Sequence, residues 1–381
     1  MEFLSQIPGY GLLSYVIPFL IVLTIVVFFH ELGHFLVARW NGVKVDAFSV
    51  GFGRELFGFN DARGTRWKLS MIPLGGYVKF HGDANAASAP DVDVINAMDA
   101  EERAVSFAHK RVGQRAAIVA AGPIANFILA IVIFTLSFML LGRAVSDPLI
   151  TSVQEGSVAE QAGFQSGDIV REIDGLPIKS FTDIPRLVAP NPGRELVFVV
   201  ERNGELVTIP VTPALKEVKD RFGNKQEIGQ VGMYNDGKVA NARIVKSGPI
   251  EAVGQAFGET WFIIARTFGY LRDIITGYQS ADQLGGPLRI AKVSGDVATL
   301  GVGALINLAA LLSVSIGLLN LFPIPLLDGG HLVYYAIEAL RGRPLSENAQ
   351  EIGFRIGLAI VMMLMVFATW NDVTQLLFSG S

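Results

Sequence analysis

The sequence predicts a polytopic α-helical membrane protein with four transmembrane helices, an inserted α+β domain and a β-hairpin in one loop. Two observations support this fold class. Only 17% of the 381 residues are charged and 51% are hydrophobic, whereas a soluble protein usually carries roughly 25% charge. The charges also avoid long stretches of the chain and concentrate in others. Both observations fit a chain that crosses a bilayer several times and carries polar inserts.

Four apolar segments are long enough to cross the hydrocarbon core, which requires about 20 residues of helix. We place these helices near 12–36, 115–141, 300–321 and 353–371. The first segment has no Lys or Arg before it, and its apolar run is too long for a cleavable signal peptide. The fourth segment is the shortest, and a buried helix of a soluble region is the alternative for it.

The positions of Lys and Arg predict the orientation of the spans, because cytoplasmic loops retain basic residues. Such residues flank the loop that follows the first span, 39–112, and the loop that precedes the fourth span, 332–352. Both loops are therefore predicted to be cytoplasmic. Both termini and the long segment at 143–298 are predicted to lie outside. The basic residues concerned are Arg39, Lys44, Lys110, Arg111, Arg115, Arg341, Arg343 and Arg355.

The end of the first span carries the zinc-binding pattern H-E-x-x-H, in which His30 and His34 flank Glu31. Two histidines four residues apart share one helical face, so both imidazoles can reach one metal ion. Glu31 could accept a proton from the metal's water, whose pKa zinc lowers toward roughly 7. Ionisable residues within a span are functional by default. A polar cluster that merely caps the span is the alternative.

The third metal ligand must come from elsewhere in the chain. There is no cysteine, so only histidine and carboxylate remain as strong ligands. Asp328 is the best candidate, because it follows two prolines that interrupt the end of the third span, and irregular backbone at membrane depth lines a cavity. The first and third spans run in the same direction, so His30 and Asp328 both lie at cytoplasmic ends and can meet. The rival ligands are His331 and Glu338.

The cytoplasmic loop is predicted to contain short strands over 43–82. Apolar residues alternate there, and glycines suited to turns recur between them, namely Gly51, Gly53, Gly58 and Gly64. A β-structured loop without substrate contact is the alternative to a functional element. Residues 83–102 are rich in Ala and Asp and are predicted to be a mobile linker.

The segment 143–213 is predicted to be a small α+β domain that resembles a PDZ domain. Its signature is the run 157–175, which gives a short helix, a turn and a strand that ends in Asp-Gly, and Asn203-Gly204 provides a later hairpin turn. PDZ domains bind extended chain ends by strand addition. A size filter is a second role, and a passive spacer is the alternative.

The remaining outer segment, 214–298, is predicted to be a linker followed by an amphipathic helix. Large apolar residues recur at helical spacing over 249–278 but charges interrupt them, so we expect this helix to lie on the outer leaflet. Packing against the PDZ-like domain is the alternative. The predicted organisation is therefore helix 1 (1–38), cytoplasmic loop (39–112), helix 2 (113–142), PDZ-like domain (143–213), linker and amphipathic helix (214–298), helix 3 (299–340) and helix 4 with an outer tail (341–381).

Four segments together give the chain a family resemblance. They are the H-E-x-x-H helix, A-G-P-I-A-N-F at 121–127 in the second span, M-I-P-L-G-G-Y-V-K at 71–79, and N-L-F-P-I-P-L-L-D-G at 320–329. The chain resembles the bacterial site-2 protease family of intramembrane zinc metalloproteases, in its regulator-of-sigma-E (RseP-like) branch, over nearly its whole length. Members of the best-known type carry two tandem PDZ domains, whereas 214–247 holds no second signature.

The resemblance implies a set of functional residues. His30, His34 and Asp328 would bind Zn2+, Glu31 would act as the general base, and Asn320 would contact the substrate backbone or stabilise the oxyanion. For Asn320, a helix cap or an inter-helix hydrogen bond is the alternative. The resemblance also suggests that the strands of the cytoplasmic loop form a membrane-associated β-hairpin beside the active site.

The activity that the resemblance implies is regulated intramembrane proteolysis in the cell inner membrane, with both termini periplasmic. The implied partners are the lipid bilayer and membrane-spanning protein substrates, either an anti-sigma factor trimmed first in the periplasm or a signal peptide remnant. A net charge of −4 gives no basic field for nucleic acid. The alternative is a PDZ-bearing membrane scaffold with a non-catalytic metal site. A zinc transporter is disfavoured, because the interiors of the second and fourth spans are apolar.

Overall fold

The computed structural model describes residues 10–83, 94, 97–219, 225–236, 241–278, 280–281 and 285–378. Its helices are α1 (Tyr10–Trp40), α2 (Ala100–Val105), α3 (Val112–Leu140), α4 (Val158–Ala162), α5 (Asp183–Val188), α6 (Pro249–Ile275), α7 (Pro287–Ala298), α8 (Val302–Asn320), α9 (Asp328–Arg341) and α10 (Glu347–Phe378). Its strands are β1 (Val45–Asn60), β2 (Arg66–Phe80), β3 (Arg143–Val145), β4 (Ser152–Val153), β5 (Ile169–Ile173), β6 (Leu176–Pro177), β7 (Leu196–Arg202), β8 (Glu205–Val211), β9 (Ala214–Lys219), β10 (Lys225–Gln230), β11 (Met233–Tyr234) and β12 (Arg243–Val245).

Within the described residues, four helices are long and apolar enough to cross a membrane, which confirms the four predicted spans. They are α1, α3, α8 and α10. The chain divides into two compact units. We call them the helical unit (Met1–Ser137 and Ile250–Leu376) and the inserted unit (Phe138–Pro249). The candidate site lies in the helical unit.

Small residues let α1, α3 and α8 approach one another closely. A Cβ atom at Gly33 of α1 would overlap the carbonyl oxygen of Ala121 in α3. A Cβ atom at Gly317 of α8 would lie 3.1 Å from the Cβ atom of Asn126 in α3, and the Ser313 hydroxyl donates to the Asn126 carbonyl over 2.8 Å. Close packing of this kind holds helices together in lipid, where apolar burial gives no driving force. It places the H-E-x-x-H turn directly against α3.

The fourth spanning helix, α10, contacts the helical unit towards both of its ends. A Cβ atom at Gly357 would overlap the carbonyl oxygen of Pro325, in the segment between α8 and α9. Near the other end of α10, the buried carboxylate of Asp372 accepts hydrogen bonds from the amides of Gly286 and Arg289, over 2.8 and 3.0 Å. Asp372 thereby caps the N-terminus of α7, whose amides have no partner within their own helix.

The cytoplasmic-loop strands form one long hairpin, in which both β1 and β2 bend. The register places the segment 45–50 between 66–70 and 76–80, and places 55–60 beside 66–70. The hairpin therefore folds into a small sheet of four segments. The fully buried ring of Phe48 packs edge-on against α1 and fixes this sheet beside the first span.

The predicted turns of this loop are partly wrong. Of Gly51, Gly53, Gly58 and Gly64, only Gly64 lies in the turn between β1 and β2. The other three lie inside β1, whose pairing register shifts around Gly51 and Gly53 and is regular at Gly58. Gly51 and Gly53 have φ angles of 87° and 86°, which other residues rarely adopt, so these glycines bend a strand instead of ending it.

Large apolar side chains of this hairpin remain exposed. Many large exposed apolar side chains on one small element are unusual in water and indicate an interaction surface. The residues are Phe52, Leu56, Phe57, Phe59, Leu69, Met71, Ile72 and Leu74.

The predicted mobile linker at 83–102 is wrong at its end. Residues 100–102 belong to α2, and the Asp99 carboxylate accepts from the amides of Glu101 and Glu102 in a capping box. Residues 84–93, 95 and 96 of that prediction lie outside the described residues.

The inserted unit is built around a four-stranded sheet with the order β6-β5-β7-β8. Helix α4 starts after its N-cap Ser157, where the sequence predicts a short helix. The Asn203-Gly204 turn joins β7 to β8, with φ angles of 51° and 86°. The core of the unit is apolar and includes the fully buried residues Ile150, Ala159, Val170, Phe198 and Val200.

The inserted unit extends beyond the predicted domain boundary at residue 213. Strand β11 pairs with β4, and β12 pairs with β3. Val231 and Met233 belong to the same core as Phe198. The segment up to 245 is therefore part of this unit and not a linker, a result that depends on pairing between distant parts of the chain.

The predicted amphipathic helix exists as α6, and its place along the outer leaflet stays a prediction. Small residues of α6 such as Ala252 and Ala256 are fully buried, whereas Phe257 and Trp261 are exposed. The ring of Phe268 lies 6.0 Å from that of Phe322, just beyond the end of α8 that is predicted to face the cytoplasm. The helix therefore extends towards the side of the candidate site.

Candidate active site

Two histidines and one aspartate from opposite ends of the chain meet in the helical unit. The Nε2 atoms of His30 and His34 lie 3.3 Å apart. The Asp328 carboxylate lies 3.1 Å from His30 Nε2 and 3.6 Å from His34 Nε2. The three side chains are 11 to 17% exposed, so the cluster is sheltered yet reachable.

This arrangement fits a tetrahedral metal ion. Zinc holds nitrogen and oxygen ligands at about 2.0–2.2 Å, which makes the edges of its tetrahedron about 3.3 Å. The three distances in the cluster fall around that value. Within the described part of the chain, Asp328 Oδ2 is buried without a hydrogen-bond donor. A cation is the partner that such an atom requires.

The two histidines also affect the carboxyl group of Asp328. Burial raises its pKa, but His34 and His30 lower it more strongly, so the pKa lies below its ordinary value. The ionised carboxylate is the form of aspartate that binds zinc.

The local backbone explains how Asp328 reaches the histidines. The two prolines between α8 and α9 prevent a continuous helix, and Leu326 is held at a φ of 106°, a strained conformation for a residue with a branched side chain. A Cβ atom at Gly329 would overlap the carbonyl oxygens of Leu321 and Phe322. The segment therefore folds back tightly on itself and presents Asp328 in the first turn of α9.

Helix α3 provides the space for the two imidazoles. A Cβ atom at Gly122 would overlap His34 Nε2 and would lie 2.9 Å from His30 Cε1. Gly122 is thus the point at which the rings fit between α1 and α3. Any larger residue there would occupy the volume of the cluster.

Glu31 lies beside the cluster and is contacted by strand β2. The amide of Val78 donates a hydrogen bond to the Glu31 carboxylate. A Cβ atom at Gly76 would lie 3.1 Å from Glu31 Cγ. The hairpin therefore forms one wall of the site and contacts the residue predicted to move the proton.

A cavity of about 430 Å³ opens onto these groups. The His-Glu-His triplet, Asp328 and Asn320, the last residue of α8, all line it. The structure thus brings together every residue predicted for the site, and a substrate segment has space beside them.

The rival ligands occupy other positions. His331 lines the cavity one turn after Asp328, outside the His-His-Asp group. Glu338 forms an ion pair with Arg115 of α3 over 2.6 Å. The Arg115 guanidinium lies 4.9 Å from the ring of Tyr335, and burial raises the pKa of Tyr335 to about 12. These residues make a polar end of the cavity that the sequence did not reveal.

Asn126 is a further site residue that the sequence did not identify. It is fully buried, and its side-chain amide lies 3.2 Å from His30 Nδ1. The A-G-P-I-A-N-F segment that contains it stands out in the sequence, yet its spacing specifies no chemistry by itself. Only the contact between α1 and α3 gives Asn126 a role.

A buried H-E-x-x-H turn, a distant carboxylate and an adjoining cavity, set among apolar helices of membrane-spanning length, define a membrane metallopeptidase. The model of "Peptidase family M50", the site-2 proteases, matches residues 18–364, and the chain belongs to this family. The family and the four apolar helices together indicate a membrane protein.

Similar proteins carry the same description. The chain is 53% identical to "Putative zinc metalloprotease Atu1380" of Agrobacterium fabrum, over 96% of this chain and 97% of the relative. It is 51% identical to "Putative zinc metalloprotease R01501" of Rhizobium meliloti, over 96% and 98%. It is 40% identical to "Metalloprotease MmpA" of Caulobacter vibrioides, over 96% of both chains. The predicted activity of a zinc metalloprotease and its Zn2+ cofactor are thereby confirmed.

Among solved structures, a crystal structure of an aminopeptidase N family protein from Idiomarina loihiensis is 19% identical over 30% of this chain and 16% of that chain. Its TM-score is 0.17, so it carries no information about this fold.

Proposed function

We propose that this zinc metalloprotease cuts peptide bonds within or beside the transmembrane segments of membrane proteins. The observation that carries the proposal is the position of the His30, Glu31 and His34 side chains. They lie on a helix long and apolar enough to span a bilayer, against Asp328 and an open cavity. In this reading, the two histidines and Asp328 bind zinc and Glu31 is the general base.

The metal and the residues of the chain have different roles in the proposed reaction. Zinc, when bound, polarises the scissile carbonyl and lowers the pKa of the attacking water. Glu31 takes the proton of that water and returns it to the amine nitrogen as the carbon–nitrogen bond breaks. The amide of Val78 holds the Glu31 carboxylate towards the site. Asn320 lines the cavity, which supports its proposed role of contacting the substrate backbone or stabilising the oxyanion.

The hairpin is the proposed docking edge for substrate. Segment 76–80 pairs with 45–50, and its Val78 amide faces Glu31. A substrate helix satisfies its own backbone hydrogen bonds, so it must unwind before one of its peptide bonds can lie beside the base. Strand addition would hold such an extended stretch. The exposed apolar side chains of the hairpin support its association with the membrane.

The proposed location, topology and substrates follow from the predicted orientation of the spans. The protein is placed in the cell inner membrane with both termini in the periplasm, and the inserted unit is a periplasmic PDZ-like domain. That domain admits substrates whose outer part has already been removed. The proposed substrates are membrane-spanning proteins of the anti-sigma-factor type, cut after a first periplasmic cleavage, and signal peptide remnants.

The test is the Glu31→Gln variant of the full-length protein, purified in detergent and compared on a tagged single-span substrate. The expected result is loss of cleavage by at least about 100-fold, because general acid–base catalysis contributes roughly 10²–10⁴-fold. Zinc content should be unchanged, since Glu31 is not a ligand. The matched control is Glu351→Gln, which removes an exposed carboxylate paired with Arg355 and should cleave like wild type. Unchanged cleavage by Glu31→Gln would refute the mechanism.

A second assay separates the site of cleavage from the activity itself. The cut position is mapped by mass spectrometry on a substrate reconstituted in vesicles. A cut within or next to the apolar span supports the proposal. Cuts confined to loops far from the bilayer would show that the protein is a metalloprotease that does not cleave within or beside transmembrane segments.

A further inference from the structure

The outer nitrogens of both histidines contact the same helix. His34 Nδ1 donates a hydrogen bond to the carbonyl oxygen of Ile118 in α3, over 2.9 Å. The Nδ1 atom of His30 lies 3.2 Å from the side-chain amide of Asn126, two turns further along α3. Gly122 lies midway between these two positions and leaves space for the rings. Helix α3 therefore contacts each imidazole on the side away from Asp328.

The tautomer of each ring decides whether it can bind a metal. A neutral imidazole carries one proton, and a metal needs the nitrogen that lacks it. The bond to Ile118 places the proton of His34 on Nδ1 and leaves its Nε2 lone pair facing Asp328. The same tautomer of His30 requires a hydrogen-bond acceptor next to Nδ1.

The Asn126 carboxamide can provide that acceptor in only one orientation. If its NH2 group faced His30 Nδ1, the ring proton would lie on Nε2 and would block the metal. If its carbonyl oxygen faces Nδ1, the oxygen accepts Nδ1–H and Nε2 is free. The structure has Asn126 Nδ2 at 3.2 Å from His30 Nδ1 and leaves Oδ1 without a donor among the described residues. The two atoms of a carboxamide are nearly indistinguishable in size, and a 180° rotation of the group gives Oδ1 the Nδ1–H donor that metal binding by Nε2 requires.

The rest of the motif prepares the helix for this contact. Pro123 has no N–H, so it releases a carbonyl of the preceding turn of α3. The backbone carbonyl of Asn126 accepts from Ser313, and the Asn126 Cβ atom lies against Gly317. Asn126 is therefore held from α8 while its side chain faces α1.

We infer that Asn126 is a positioning residue of the metal site, whose side-chain oxygen accepts Nδ1–H of His30 and fixes the zinc-binding tautomer. Together with the Ile118 carbonyl, it forms the layer of hydrogen bonds around the metal ligands that metal sites commonly need. The inference rests on the ligand set of the proposed function. It also assigns a purpose to the segment 121–127, in which Gly122 makes room for the rings and Asn126 orients one of them.

The test measures metal affinity, so it does not depend on protease activity. Full-length Asn126→Leu and Asn126→Asp are compared with wild type by competition with a zinc chelator. Both side chains have the same branched arrangement of four non-hydrogen atoms as asparagine. Leucine removes the acceptor and should weaken zinc binding roughly 10- to 100-fold. Aspartate keeps an acceptor and cannot donate, so its affinity should equal or exceed that of wild type.

The two amide orientations give opposite results for Asn126→Leu. If the side chain donated to His30, it would hold the ring proton on Nε2, and its loss in Asn126→Leu should leave the zinc affinity unchanged or raise it, which would overturn the inference. Zinc binding by Asn126→Asp as weak as that of Asn126→Leu would also overturn it, because aspartate keeps the acceptor. The visible spectrum of the cobalt-substituted proteins gives a second readout, because a changed tautomer alters the geometry around the metal even where the protein remains folded.

Controls separate this inference from its premises. Ser315→Ala removes a hydroxyl of α8 that bonds to the Leu311 carbonyl within the same helix, and it should bind zinc like wild type. If the zinc affinity of the wild-type protein does not depend on Asp328, the proposed ligand set is wrong. If wild type binds zinc tightly and Asn126→Leu does too, only the role of Asn126 fails.

Discussion

Gly76 of the hairpin and Glu31 of the first span lie so close that a Cβ atom on Gly76 would approach Glu31 Cγ to 3.1 Å. The two residues belong to different elements, and neither motif that contains them specifies the other. The space between them is too small for a side chain at position 76, so the hairpin backbone lies directly against the proposed general base.

The first prediction concerns this contact. Gly76→Ala should displace Glu31 or push the hairpin away from it, since the new methyl group would also meet the carbonyl oxygen of Ser49 at 2.8 Å. We expect cleavage to slow about tenfold or more, which corresponds to about 1.4 kcal/mol in the barrier, with zinc content unchanged. Single-turnover cleavage and metal analysis measure the two effects.

The control for Gly76→Ala is Gly254→Ala in α6, where a Cβ atom would meet nothing within 4 Å. It should cleave like wild type. Wild-type cleavage by Gly76→Ala would show that the hairpin does not position the base.

The second prediction concerns the space for the imidazoles. Gly122→Ala should reduce zinc affinity by at least about 100-fold, because its methyl group would overlap His34 Nε2 and interior packing leaves little room to relax. Gly113→Ala, in the same helix, meets nothing within 4 Å and should keep its zinc. Chelator competition checks both variants. Equal affinities in the two would contradict the packing of α1 against α3.

The third prediction separates the candidate third ligands. Asp328→Ala should lose most of its bound zinc, since two histidines alone hold the metal weakly. Glu338→Gln should retain zinc, because Glu338 is engaged by Arg115. Metal analysis of both purified variants, after dialysis against a weak chelator, decides the assignment. A full zinc load in Asp328→Ala would reject this ligand.

The fourth prediction concerns the acid stability of the hairpin turn. Asp61 accepts from Arg39 of α1 over 2.9 Å. Burial raises the pKa of Asp61, but the amides of Thr65 and Arg63 and the Arg39 side chain lower it to about 2. A lowered pKa stabilises the folded state above the unfolded pKa of 3.8, and this stabilisation is lost as the pH falls through about 2.

Hydrogen exchange in the hairpin, corrected for intrinsic rates, measures this stabilisation. Protection of the wild-type hairpin should be constant from pH 7 to about 4. Asp61→Asn should exchange faster than wild type at pH 7, and the difference should disappear near pH 2. Equal protection of the two proteins at pH 7 would show that the turn is held by other contacts.

Local patterns and long-range contacts explain what the sequence could and could not predict. The four spans were predictable because hydropathy is a property of contiguous residues. The proximity of His30 and His34 was predictable because the spacing of residues on a helix is fixed. Asp328 required only the direction of the spans. The contact between Phe268, in the helix at 249–278, and Phe322 is one that no local pattern contains.

Two further outcomes depended on contacts that only the folded chain creates. Gly51 and Gly53 could serve a turn or a bend in a strand equally well, because either needs a positive φ. The extent of the inserted unit was underestimated because β4 and β11 pair across most of that unit. The sequence alone assigns no chemical role to Asn126. Its proposed role follows from the close packing of α3 against α1.

The distance along the chain between the H-E-x-x-H helix and Asp328 has a consequence for biosynthesis. The first span enters the membrane long before the segment that carries Asp328 is synthesised, so the early part of the chain holds only two of the three proposed ligands. Metal binding is coupled to folding because a complete site rarely exists before the chain has folded. With the proposed ligand set, a growing chain is therefore expected to be inactive as a protease until the segment that carries Asp328 has been synthesised.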